Sequence, residues 1–163
     1  MNATHLRALP HDELWHRLSP FLLRAGLVLP SGAEWQSRAI EVFKTSMEVL
    51  ADAVELFRPL SLTDLTITPE GQETLTWEKS KAVISRWRDL LKSGEEYISA
   101  ETFSVMQNQI AADVGVKGKH LFMPIRVAVI GKPQGAELKN LVPLLSTQVL
   151  ADRAQSVLNA AGG

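Results

Sequence analysis

Apolar residues recur at intervals of three and four along almost the whole chain, and this helical periodicity limits the fold more than any other feature. Residues 10–26 show the pattern in full: a proline and two acids open the stretch, an apolar stripe follows, and an arginine and a glycine close it. Residues 121–130 are ambiguous, since they are apolar enough to form either a buried strand or a buried helix. The pattern predicts an all-α protein. Further helices are expected within residues 33–60, 73–93, 99–115 and 136–161.

A stretch rich in threonine, leucine and turn formers, residues 59–71, interrupts this helical pattern. We interpret the stretch as a connector between two lobes. The sequence therefore predicts a first helical lobe over residues 1–66 and a second helical lobe over residues 67–163. A chain of 163 residues is long enough for two small lobes that each contain an apolar core.

The composition excludes several classes of protein. Apolar residues make up 45% of the chain and charged residues 21%, which is typical of a globular protein. The absence of cysteine excludes disulfides, cysteine zinc sites and thiol catalysis. No run approaches the roughly 18 apolar residues that cross a bilayer, and the first residues lack the apolar segment of a signal peptide. We therefore expect a cytoplasmic protein that has no membrane partner.

The familiar motifs of catalysis do not occur in the sequence. It contains no phosphate-binding GxxxxGK[ST], no dinucleotide-binding GxGxxG, no zinc-protease HExxH and no GxSxG. His5, His11 and His16 are spaced six and five residues apart, so they do not form the i, i+4 pair that binds a metal on one helix face. The sequence therefore predicts no catalytic residue and no metal site.

The residues between Asp113 and Glu137 carry a local excess of positive charge, although the net charge of the chain is only −1. Any nucleic-acid site must therefore be local. Two of the cations alternate with glycine, which is typical either of a solvated loop or of a loop that follows a phosphate backbone. Arg126 lies among apolar neighbours, so it either pairs with an internal acid or is available to a ligand. The cations of this basic segment are Lys117, Lys119, Arg126 and Lys132, and His120 lies among them.

The aromatic residues allow two interpretations, core packing or stacking on nucleic-acid bases. The helical spacing of Trp15 and Trp87 with leucine and isoleucine favours core packing for both. Trp77 has charged neighbours, so its role stays open. Core packing is also the expectation for Phe122, which lies inside the basic segment.

Residues 117–138, KGKHLFMPIRVAVIGKPQGAEL, closely resemble a signature near the C-terminus of bacterial-type glutamyl-tRNA synthetases, roughly KGKxLFxPLRxALTGxxxGPEL. The opening, MNATHLRAL and then LSPFLLRAGL, is similar to the point at which the catalytic half of that family ends. Over residues 60–110 the resemblance is mainly one of helical pattern and length. It implies the anticodon-binding region of that family, an all-α pair of lobes that forms a cage, and it favours a helix for residues 121–130.

The resemblance also implies roles for individual residues. Arg126 matches the arginine that reads the anticodon, and Gly135, Ala136 and Leu138 match a turn that contacts the first two anticodon bases. Ala136 stands where the family commonly has proline, which implies a looser turn because a fixed φ is lost. Ser46 aligns with the reader of the third base, often arginine or glutamine. Since serine makes a single hydrogen bond, this match implies weaker discrimination between glutamate and glutamine anticodons.

The remaining implications concern the rest of the parent protein. Lys117 and Lys119 are expected to position the anticodon stem-loop through its phosphates. The family's HIGH-like and KMSKS-like motifs do not occur here, so the resemblance implies a fragment that is not catalytic by itself and holds no cofactor. The parent would be a glutamate–tRNA ligase whose catalytic domain uses ATP and magnesium. The expected partners are the anticodon loop of tRNA-Glu and that catalytic domain, and we expect a monomer.

The sequence allows three other interpretations. A helical protein-interaction module agrees with the near-neutral charge, and an Arg126 buried against an acid would favour it. The equivalent region of a class I lysyl-tRNA synthetase would have a similar helical cage. An independent enzyme is disfavoured by the missing motifs and the absence of cysteine.

Overall fold

The computed structural model describes residues 3–63 and 65–162. These residues form α-helices, short 3₁₀ turns and loops, and they contain no β-strand, which confirms the all-α prediction. No helix in this described part is both long and apolar enough to span a bilayer. The α-helices are α1 (Ala3–Ala8), α2 (His11–Arg24), α3 (Ala33–Phe43), α4 (Asp52–Phe57), α5 (Pro69–Leu75), α6 (Ser80–Leu90), α7 (Ala100–Val114), α8 (Lys119–Ile130), α9 (Leu138–Leu141) and α10 (Thr147–Ala160).

The chain forms two compact units, Met1–Thr63 and Asp64–Gly163. The first unit contains α1 to α4 and the second contains α5 to α10. The assignment of residues 1–66 and 67–163 to two anticodon-binding lobes stays a prediction.

Aromatic rings form the centre of the first unit. The ring of Trp15 meets Trp35 edge-on with centroids 6.2 Å apart, and it meets Phe57 at 5.8 Å. Phe43 lies 5.1 Å from Phe57 in the same cluster. Edge-to-face contacts of this kind add to the stabilisation that burial of the rings supplies. Trp15 itself is half-buried, so its ring packs at the edge of this aromatic core.

The core of the second unit surrounds α6, which packs against α7, α8 and α10. Trp87 of α6 is fully buried, and its ring meets Phe103 of α7 edge-on at 5.4 Å. The apolar run that was ambiguous from the sequence is helical, because it forms most of α8 and buries Leu121, Ile125 and Val129 against these neighbours.

The segment around α5 differs from the sequence interpretation in two ways. The helix begins at Pro69, inside the stretch expected to be a connector, because the Thr68 side chain accepts a hydrogen bond from the Gly71 N–H and caps the helix. Residues 76–79 then separate α5 from α6, so residues 73–93 do not form one helix. Apolar periodicity continued across this break because both helices bury residues in the same core.

Candidate nucleic-acid interface

Two glycines set the position at which α8 begins. Gly115 ends α7 with φ +79°, and Gly118 precedes α8 with φ +58°, a backbone region that other residues rarely adopt. Lys117 lies between these glycines and is exposed, and Lys119 is the exposed first residue of α8. The two lysines predicted to contact phosphates therefore lie at the surface of one short loop and the helix that follows it.

The outward side of α8 carries Lys119, Phe122, Met123 and Arg126, which are three or four residues apart and so share one face. Phe122 is 45% exposed, so the expectation of core packing for this residue is wrong. Leu121 occupies the inward position instead, and a helix turns the next side chain by about 100°. An aromatic ring is thus left at the surface of the basic segment.

The guanidinium of Arg126 binds the main chain of the turn that follows α8. Its Nη1 donates a hydrogen bond to the Ala136 carbonyl oxygen at 2.6 Å, with the Gly135 carbonyl oxygen at 3.4 Å. Within residues 3–63 and 65–162, no carboxylate lies within ion-pair distance of this side chain. Arg126 therefore neither pairs with an acid nor stands alone, since it holds a turn with one nitrogen.

The other side of the same guanidinium is left for a ligand. An arginine has five N–H donors in a rigid planar fork, and Nε and Nη2 lie side by side on one edge. The described residues supply no acceptor to either nitrogen of Arg126. This edge can bind a group that presents two neighbouring acceptors.

At Gly131 the turn is anchored to the segment that leads into α5. This residue ends α8 with φ +81°, and its carbonyl oxygen accepts a hydrogen bond from the Thr68 N–H at 2.9 Å. A Cβ atom on Gly131 would lie 2.1 Å from the Thr66 carbonyl oxygen, so only glycine fits. The aliphatic chain of Lys132 lies over Gly135, with its Cε 3.2 Å from where a Cβ would be. Lys132 thereby adds a second cation, besides Arg126, to this turn.

The three residues matched to the base-contacting turn have different exposures. Gly135 and Ala136 are exposed, whereas Leu138 is 5% exposed and begins α9. Leu138 can therefore meet a base only through its main chain. The hydrogen bond from Arg126 restrains the Ala136 carbonyl, and this restraint does not depend on a proline at residue 136.

Ser46 lies in the first unit. It is the exposed last residue of the 3₁₀ turn Lys44–Ser46, and the preceding carbonyl oxygen, that of Thr45, accepts a hydrogen bond from Arg7 at 2.7 Å. Lys44 pairs with Glu41 at 2.9 Å. The Ser46 hydroxyl is thus presented on a braced turn whose positive charge is already balanced.

Trp77 packs against the start of α8, which answers the question that its sequence neighbours left open. The Lys119 ammonium lies 5.8 Å from the centre of the Trp77 ring, and the His120 ring lies 4.9 Å from it, tilted by 57°. A cation over an aromatic face is attracted by the ring electrons. A cleft of about 310 Å³ opens beside these rings, lined by Glu78, Lys79, Gly115, Val116, Lys117 and His120. No local sequence signal links Trp77 with His120, because Trp77 lies in the turn between α5 and α6 and His120 lies in α8.

Sequence reasoning missed Arg153, which lies on α10. It is only 7% exposed, and its Nη1 donates to the Val129 carbonyl oxygen at 2.8 Å. Burial lowers the pKa of this guanidinium below its usual value, because removal from water disfavours the charged form. A cation at the carboxyl end of a helix satisfies carbonyls that have no partner within the helix. Arg153 thus fixes the end of α8 next to the turn that Arg126 holds.

Known proteins share this fold and much of this sequence. Over 97% of the chain, the fold matches a solved glutamate tRNA ligase from Elizabethkingia meningosepticum with a TM-score of 0.79, at 12% identity and over 31% of that structure. A glutamate–tRNA ligase of Bdellovibrio bacteriovorus is 53% identical over 97% of this chain and 32% of its own length. The corresponding protein of Halalkalibacterium halodurans is 29% identical over 98% of this chain and 33% of its own length.

The fold is therefore shared with about a third of a solved glutamate tRNA ligase. The anticodon binding domain family model matches residues 13–158, and the chain belongs to this family. The resemblance seen in the sequence is thereby confirmed. The chain spans about a third of the length of the curated relatives that it matches.

Proposed function

We propose that this chain recognises the anticodon loop of tRNA-Glu, as the anticodon-binding part of a glutamate–tRNA ligase. The observation that carries the proposal is the state of Arg126, whose Nη1 holds an exposed turn while its Nε and Nη2 edge has no protein acceptor in the described part of the chain. Membership of the anticodon binding domain family supports the same conclusion.

Phosphate contacts position the loop in this proposal. Lys117 and Lys119 are exposed, two residues apart and without a carboxylate partner among the described residues, so the RNA backbone can bind them without displacing an internal ion pair. Each lysine that neutralises a phosphate releases counterions, which makes binding depend on salt. These contacts fix the register of the RNA and carry no base identity.

Base identity comes from Arg126. The bases of a single-stranded loop can turn outward and expose their hydrogen-bonding edges. The Nε and Nη2 edge fits a base that presents two neighbouring acceptors, and a two-pronged contact of this kind contributes about 1–3 kcal/mol of discrimination. Because Nη1 also holds Ala136, a base on Arg126 lies beside the main chain of Gly135 and Ala136, which can contact its neighbour.

The first unit contributes less to base discrimination. Ser46 offers one hydroxyl, which can donate or accept a single hydrogen bond to the third base. We therefore expect glutamate and glutamine anticodons to be separated only weakly at that position. The buried Leu138 contributes through its main chain alone.

The parent protein would join this region to a catalytic domain that activates glutamate with ATP and magnesium, acting as a monomer in the cytoplasm. A protein-interaction module is the other function considered from the sequence. The observation that would favour it, an ion pair between Arg126 and an internal acid, is not found within residues 3–63 and 65–162.

The test measures binding of a tRNA-Glu anticodon stem-loop at low salt, with a scrambled loop on the same stem as the control. Arg126→Lys is the informative variant, because it keeps a charge and a donor for Ala136 and loses the fork. We expect about 5- to 150-fold weaker binding of the anticodon loop, the equivalent of about 1–3 kcal/mol, and little change for the scrambled loop. Equal binding of the two loops by the unmodified chain would exclude anticodon recognition.

A further inference from the structure

We propose that Phe122 is a stacking platform for a second base of the same loop, next to the base that Arg126 reads. This inference rests on the proposed function and adds a contact to it. Among the described residues, six large apolar side chains are exposed, and Phe122 is the one aromatic ring in that set. It is also the one member that lies in the basic segment. The other five are Leu23, Val28, Val49, Leu62 and Val105.

The position of the ring on α8 favours a nucleic-acid contact. Phe122 follows Lys119 by three residues and precedes Arg126 by four, so the ring and the two cations share one helix face. Four residues of helix advance about 6 Å along the axis. An extended loop can therefore place one base on the ring and a neighbouring base on the guanidinium.

The charges around Phe122 identify the occupant. A partner for this face must tolerate the cations of the basic segment, which have no carboxylate partners in the described part of the chain. It must also present a flat apolar surface to the ring. A single-stranded RNA loop has both properties, since its backbone is anionic and every base has a π face.

Stacking and hydrogen bonding would contribute differently to RNA binding on this face. Any base can stack on an aromatic ring, so Phe122 contributes affinity with little regard to base identity. Arg126 contributes identity through its fork. Trp77 does not compete for the same role, because Lys119 and His120 already pack on its ring.

The experiment compares the unmodified chain with Phe122→Leu and Phe122→Trp, using stem-loops in which each loop nucleotide is made abasic in turn. Phe122→Leu keeps an apolar side chain and removes the π face, whereas Phe122→Trp enlarges the π face. We expect Phe122→Leu to bind the intact loop about 5- to 150-fold more weakly and Phe122→Trp to bind it as tightly as the unmodified chain, or more so. One abasic position should abolish the difference between leucine and phenylalanine, since the ring then has no base to stack on.

Val105→Ala is the control, because Val105 is an exposed apolar residue of α7 outside the basic segment. It should bind like the unmodified chain. The exposed ring contributes little to folding, so the melting temperature of Phe122→Leu should match that of the unmodified chain.

Three results would overturn the proposal. Normal binding by Phe122→Leu, with Arg126→Lys still impaired, refutes stacking while anticodon recognition stands. An effect of Phe122→Leu that persists at every abasic position also refutes stacking. If the unmodified chain does not distinguish the anticodon loop from the scrambled loop, the proposed function fails first and the stacking role fails with it.

Discussion

The first unit and the basic segment of the second unit differ in how their positive charges are balanced. Among the described residues of the first unit, Arg17 pairs with Glu13 at 2.8 Å, Lys44 with Glu41 at 2.9 Å and Arg58 with Glu55 at 3.1 Å. In the basic segment of the second unit, no cation has a carboxylate partner among the described residues. The placement of charge, and not its amount, therefore distinguishes the candidate interface.

The units also differ in where they put aromatic rings. Trp15, Trp35 and Phe57 meet one another inside the first unit. In the second unit, Phe122 is exposed and Trp77 packs against Lys119 and His120 at the surface. The exposed Phe122 ring is available to an RNA loop, whereas rings that pack on one another mainly stabilise the fold.

The largest expected effect is that of Gly131→Ala. The new Cβ would lie 2.1 Å from the Thr66 carbonyl oxygen, and the alanine would have to keep a positive φ that is unfavourable for it. We therefore expect a loss of about 2–5 kcal/mol in the free energy of unfolding. Gly26→Ala in the first unit and Gly115→Ala in the second are matched controls, since both have positive φ but nothing within 4 Å of the added atom. Denaturant titration measures all three. A cost for Gly131→Ala no larger than that of the controls would contradict the tight packing of the turn.

The next effect concerns Arg153→Met, which keeps most of the side-chain volume and removes the donor to Val129. We expect a loss of about 1–3 kcal/mol in the free energy of unfolding, because a buried carbonyl loses its charged partner. Arg58→Met removes an exposed arginine of the first unit and should change stability by less than about 1 kcal/mol. Thermal unfolding of both variants checks this contrast. Similar losses in the two variants would mean that Arg153 does not fix the end of α8.

A direct test of the contrast between the units compares Lys119→Gln with Lys44→Gln. Lys119 has no carboxylate partner in the described part of the chain, whereas Lys44 pairs with Glu41. We expect Lys119→Gln to weaken binding of all stem-loops alike and to lower the slope of log affinity against log salt by about 1. Lys44→Gln should leave the slope unchanged. Binding titrations over a series of salt concentrations measure both, and a larger change from Lys44→Gln would reverse the assignment of the phosphate contacts.

The smallest effect is a pH dependence in the first unit. The N–H groups of Val49 and Glu48 donate to the Asp52 carboxylate and hold its pKa below the usual value of 3.8. Since the folded-state pKa is lowered, the stabilisation is complete above the unfolded pKa and disappears as pH falls through the folded pKa. Asp52→Asn should therefore cost stability at neutral pH and flatten the decline at acid pH. Unfolding measurements from pH 7 to pH 2 would disprove this if the two proteins showed parallel curves.

Capping residues, glycines and apolar spacing in the sequence predicted most of the helices and their ends. Ser99 caps α7 by accepting from the Thr102 N–H, Gly115 ends that helix, and Gly131 ends α8. These signals act within a few residues, so neighbouring residues in the sequence are enough to recognise them. The break at residues 76–79 escaped the same reasoning, because burial in a common core kept the apolar spacing intact across it.

The sequence by itself determined the all-α class, the family and the basic segment, because periodicity, caps and a run without acids are properties of neighbouring residues. Tertiary structure alone decided what each side chain of that segment does. It exposed Phe122, directed Arg126 to the carbonyl oxygen of Ala136 and brought Arg153 to Val129. These outcomes depend on which face of a helix the core covers and on contacts between residues far apart in the chain, and no short stretch of sequence contains that information.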